Sequence, residues 1–146
     1  MKKLQISTKP CLIIERRAFY ANKLVYVLCA NKKHRYQWGR SKIVYIGTTE
    51  KGADRIGNSV VNKGRDILDH HGINQVKAFM VTCSGGRGMK DWPKKLESAF
   101  LYNFREYYGC IPLLNKQCGP KQKEDVSTNF SEAKIDRAIA YFSNLK

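Results

Sequence analysis

The chain has 146 residues, 42% of them hydrophobic, which is enough for one domain with a core of its own and no need of disulfide staples. Its 27 Lys and Arg against 12 Asp and Glu give a formal net charge of +15, an excess that repels itself unless a polyanion shares the surface, so nucleic acid is the first partner to consider. No stretch approaches the ~20 apolar residues of a bilayer span, the opening Met1-Lys2-Lys3 leads into no signal-like apolar segment, and five cysteines without a C-x-x-C pair or a spaced Cys/His set argue against disulfides and structural zinc. These features lead us to expect a cytoplasmic protein.

Residues 1–22 hold one apolar run, Cys11 to Ile14, that suits either a short strand or a turn of helix, and we read this part as an extension. Two β-branched and aromatic segments follow, 24–29 and 42–47, which predict strands. Alternation puts Tyr26 on one face with Leu24 and Leu28, and Tyr45 on one face with Ile43. The polar and basic residues 31–40 between them predict a long hairpin loop, whose Tyr36 and Trp38, if exposed among its cations, would suit a nucleic-acid contact.

A helix is predicted from about Gly52 to about Asp69, with Ala53, Ile56, Val60 and Ile67 on its inner arc and Arg55, Ser59 and Asn62 on a polar strip beside that arc. A third strand is expected over 75–83, then a flexible turn over 84–88. The next helix runs from about Asp91, a suitable N-cap, to Tyr108, with Pro93 in its first turn and Gly109 ending it. Its apolar arc of Phe100, Leu101, Phe104 and Tyr108 includes Glu97, a carboxylate that is costly to bury unless a metal ion, an arginine or a water-filled cleft compensates it. After a loop through Asn115 and the charged residues 121–125, a last amphipathic helix starts near Ser131, with Ile135, Ala138, Ile139 and Phe142 on one face. The resulting order is ββαβα plus a C-terminal helix, an α/β (α+β) domain with a small, mainly antiparallel sheet.

Taken together, Tyr26, Tyr45 with Gly47, Arg55 ten residues later, Glu97 on the following helix and Asn115 in the loop beyond resemble the GIY-YIG nuclease family over about residues 23–120. The segments 96–101 and 111–115 carry much of the similarity. Leu24 stands where the family's first motif has glycine, and Thr48 where many members have lysine, with Lys42, Lys51 or Lys63 available to replace that cation. The resemblance implies a nuclease domain at 23–120 with a helical extension packed on it at 121–146. It also implies single-metal hydrolysis of a DNA phosphodiester.

In that scheme Glu97 holds one Mg²⁺ or Mn²⁺, and Arg55 lies against the scissile phosphate. Tyr26 accepts the proton of the attacking water, Tyr45 orients water or phosphate, and Gly47 and Asn115 support the site. Lys32, Lys33, Arg35, Arg40, Arg87, Lys90, Lys94, Lys95 and Lys116 are expected to surround the site and contact phosphates. The biological setting would be restriction, a mobile element or repair, with a homodimer as one way to cut both strands. The alternative is a basic nucleic-acid-binding protein on the same scaffold that does not cut.

Overall fold

A computed structural model of the chain describes residues 3–7, 9, 13, 15, 19–68, 72–83, 90–116 and 130–146. The fold is α+β: a three-stranded antiparallel sheet with three helices. Strand β1 (Leu24–Arg35) is central in the order β2-β1-β3, between β2 (Arg40–Thr49) and β3 (Val76–Val81). Helices α1 (Ala53–Ile67), α2 (Trp92–Tyr108) and α3 (Glu132–Ser143) complete it. These elements follow the order and types expected from the sequence, with ends shifted by a residue or two except at the end of β1, which runs six residues further than expected.

The central strand is buried on both sides, which explains why its sequence is almost continuously apolar. Val25, Val27 and Cys29 face a core made with Leu96, Phe100 and Phe104 of α2 and Ile135, Ile139 and Phe142 of α3. Leu24, Tyr26, Leu28 and Ala30 face a second core, closed by Ile67 and Ile73 with Ile56 and Val60 of α1. The C-terminal helix therefore shares a core with the sheet, and a buried hydrogen bond between Ser41 and Ser143 hydroxyls (2.7 Å) ties its end to β2. Among the described residues no helix is long and apolar enough to cross a membrane, and Cys29, Cys83 and Cys110 are free thiols.

Three expectations are corrected. Residues 31–40 are mostly strand: β1 runs to Arg35, β2 starts at Arg40, and the turn closes with Tyr36 N–H donating to the Gly39 carbonyl (2.8 Å). The basic residues looked like a loop because this part of the hairpin projects beyond β3, whose pairing stops at Ala30, so no alternating buried face marks it. Tyr36 is buried, not exposed: its ring packs edge-on against Phe104 (5.1 Å between centroids) and its hydroxyl donates to the Ile43 carbonyl (2.6 Å). Tyr45 and Ile43 lie on opposite faces, because the register steps from Leu28↔Tyr45 to Cys29↔Ile43 and leaves Val44 as the extra residue of a β-bulge.

The helix ends also carry information. Asp91 occupies the N-cap position of α2, but its side chain makes no capping hydrogen bond. Gly109 ends α2 in the left-handed region (φ 79°), its N–H donating to the Arg105 carbonyl at 2.8 Å. A side chain there is excluded twice, since a Cβ would also lie 2.9 Å from the Trp38 ring and from Gln37.

Candidate active site

The antiparallel register sets Tyr26 directly across from Gly47. The bulge at Val44 turns Tyr45 onto the same side, so the two phenol rings lie 5.8 Å apart, tilted by 43°. Both rings crowd Gly47. A Cβ at that position would meet Tyr45 Cε1 at 2.6 Å and Tyr26 Cζ and Oη at 2.9 Å, so glycine is required there by the rings that pass over it.

Tyr26 is 1% exposed, and its hydroxyl donates to Ser59 Oγ of α1 at 2.7 Å. Ser59 follows Arg55 by one helical turn, so α1 offers the guanidinium and the hydroxyl on the same side. Arg55 itself is exposed. Burial first, then the neighbouring Tyr26, then Glu97 hold the Tyr45 proton on well above the usual phenol range, while Arg55 pulls the other way.

Glu97 falls within the inward arc of α2, as its spacing predicted, but is only half-buried. Burial pushes its carboxyl up to about 7, against a smaller downward pull from Lys94 one turn earlier. No hydrogen-bond donor among the described residues is placed on this carboxylate. Tyr45 of β2 is thus within ring contact of Tyr26 of β1 and within electrostatic reach of Arg55 of α1 and Glu97 of α2.

Asn115 acts on the backbone. Its Nδ2–H donates to the Ile46 carbonyl (2.7 Å) and its Oδ1 accepts from the Ile46 N–H (3.0 Å), as a paired strand would. With Leu114 N–H donating to the Val44 carbonyl (2.9 Å), the segment after α2 satisfies part of the free edge of β2 beside Tyr45.

The two positions that depart from the family motif are bonded to each other. Thr48 Oγ1 donates to the Leu24 carbonyl at 3.0 Å, and the Leu24 side chain is fully buried in the core under α1. Of the three lysines available to replace the missing cation, Lys63 is the one beside Tyr45: its Nζ is 5.1 Å from the ring centroid and donates to the Leu114 carbonyl at 3.3 Å. Lys42 instead faces the buried Cys29 thiol, which burial raises to about 12. The sequence singled out neither the Tyr26–Ser59 bond nor the preference for Lys63. The available signal was helical spacing, since Arg55, Ser59 and Lys63 follow one another at intervals of four.

The cations are less concentrated than expected. Lys90, Lys94, Lys95 and Lys116 are exposed and lie at the start of α2 or next to Asn115. Arg87 lies outside the described residues. Lys32, Lys33, Arg35 and Arg40 do not surround the tyrosines. They lie on the projecting hairpin, and Arg40 is separated from Gly47 by seven positions, one of them bulged, which is about 20 Å of strand. Lys33 donates to the Asn144 side chain beyond α3.

One half-buried carboxylate with no protein donor placed on it among the described residues, within electrostatic reach of Tyr45, fits a hard cation that keeps most of its waters, as Mg²⁺ does. The described residues hold no group of three or more His, Cys, Asp or Glu that would build an all-protein metal cage. Comparison of the chain with protein-family models, with curated proteins and with solved structures gave no match.

Proposed function

We propose that the protein is a divalent-metal-dependent DNA endonuclease of the GIY-YIG type. The observation that carries the reading is the packing of Tyr26 and Tyr45 over Gly47, a glycine that the two rings make obligatory, with Arg55 and Glu97 both acting electrostatically on the Tyr45 hydroxyl. A carboxylate raised to about 7 by burial, within electrostatic reach of Tyr45, has little value for stability and a clear use in hydrolysis of a phosphodiester.

In this reading Glu97 holds Mg²⁺ or Mn²⁺, which when bound neutralises phosphate oxygens and acidifies water. Arg55 pairs two oxygens of the scissile phosphate through its planar fork. Tyr45, kept protonated by its surroundings, serves as a donor that orients the phosphate or the attacking water. Tyr26, as the phenolate with the Ser59 hydroxyl turned to donate to its oxygen, would accept the proton of that water. Lys63 supplies from α1 the positive charge that Thr48 cannot supply from β2.

Incubation of the purified chain with supercoiled, linear and branched DNA, with and without Mg²⁺, tests the proposal. Cleavage that needs the metal supports it. Tight, salt-sensitive binding with no cleavage of any substrate would instead identify a binding protein on the same scaffold.

A further inference from the structure

The tip of the β1–β2 hairpin combines three features that the site at Gly47 does not use. Trp38 is 65% exposed although its position is tightly defined. Its backbone N–H donates to the Tyr108 carbonyl (3.2 Å), its ring lies on Gly109, and Tyr36 is buried against α2. Arg35 and Arg40 are direct cross-strand partners flanking the turn, a like-charge pairing that is unfavourable unless an anion lies between them. No carboxylate side chain occurs anywhere between Glu15 and Glu50, so nothing on this stretch of chain neutralises the pair.

A solvent-facing indole on a turn whose two ends each carry an arginine matches one ligand chemistry: a nucleobase π-face with a phosphate on either side. In a closed duplex both faces of each base are already stacked, so the base must be unpaired or displaced. We infer that the hairpin tip is a second DNA contact, in which Trp38 stacks on an unpaired base while Arg35 and Arg40 hold the adjoining phosphates. This names the substrate class for the nuclease reading and rests on it for that purpose. Given about 20 Å of strand between Arg40 and Gly47 and ~3.4 Å per nucleotide step, the cut falls about six nucleotides from the unpaired base.

The experiment uses the full chain carrying Glu97→Gln, so that binding is read without cleavage, and Trp92→Phe, so that Trp38 is the sole fluorophore of its kind. The probes are a DNA duplex with one bulged nucleotide, the same duplex fully paired, and the bulged sequence as RNA. The expected result is quenching of Trp38 emission by the bulged DNA, with a loss of about tenfold in affinity for it in Trp38→Ala, a smaller loss in Trp38→Phe and little change for the paired duplex. Absence of quenching, equal losses on bulged and paired DNA, or a preference for the RNA would overturn the inference. The quenching measurement keeps the indole in place, so it decides the matter even if Trp38→Ala fails to fold. A chain that binds bulged DNA through Trp38 and never cuts would refute the nuclease and leave this contact standing; one that cuts without Trp38 quenching would do the reverse.

Discussion

Replacing Gly47 by alanine should separate the role of the site from the stability of the fold. The added Cβ would lie 2.6 Å from Tyr45 Cε1 and 2.9 Å from Tyr26 Cζ and Oη, so relief to an ordinary ~3.4 Å contact needs displacements of about 0.8 and 0.5 Å. Tyr26 has little room to give way, being fully packed and tied to Ser59, so part of the shift falls on the β1–β2 pairing itself. Overpacking of this kind costs ~1–3 kcal/mol, or a melting temperature lower by roughly 3–10 °C for a domain this size. The chain remains folded. Misplacing reacting groups by close to 1 Å costs ~100-fold in rate, so plasmid nicking should fall by about that factor at a temperature where circular dichroism shows native structure. Gly57→Ala is the control: nothing lies within 4 Å of a Cβ there, and an alanine inside α1 should stabilise by ~0.5–1 kcal/mol with no change in nicking. A Gly47→Ala protein that nicks at the wild-type rate would show that the two rings over Gly47 are packing and not machinery.

Because burial raises the Glu97 carboxyl to about 7, the folded state holds its proton more tightly than the unfolded chain does. The stabilisation from that proton is complete below the ordinary carboxylate range and is lost as pH rises through about 7, so Glu97→Gln should match the wild-type melting temperature at pH 4 and exceed it at pH 8. The same titration predicts that, at Mg²⁺ well below saturation, wild-type cleavage rises about tenfold between pH 6 and pH 8. Asn115→Ala removes both hydrogen bonds to Ile46 and should cost ~1–3 kcal/mol in denaturant unfolding, with a slower cut because the β2 edge beside Tyr45 is released. Arg55 is exposed, so Arg55→Lys should leave the melting temperature within a degree or two and still reduce cleavage by ~100-fold or more, a point charge replacing a planar fork.

The sheet and helices were legible where side chains meet an interior. Periodicity located α1, α2 and α3 because each buries a continuous apolar stripe, and β1 was clear because both of its faces are covered. It failed on the hairpin arm, where β1 continues through Lys32 to Arg35 and β2 starts at Arg40 with little to bury, and where Tyr36 is buried by α2, some 70 residues away in sequence. It failed also at Val44, since a bulge is a property of two strands in register and leaves no mark on one of them. The candidate site residues were singled out as a pattern of residue types in order. Their partners were not: the bonds of Ser59, Thr48 and Asn115 join positions 33, 24 and 69 residues apart.

The central claim is that Glu97, with the two tyrosines and Arg55, forms a metal-using hydrolytic site. It is tested most directly by the rate of supercoiled DNA nicking for wild type and Glu97→Gln at the same saturating Mg²⁺. The account predicts a wild-type rate that disappears on chelation and a Glu97→Gln rate lower by ~1,000-fold or more in a protein that is folded and still binds DNA. A wild-type protein that cuts nothing, or a Glu97→Gln protein that cuts as fast as wild type, would contradict it.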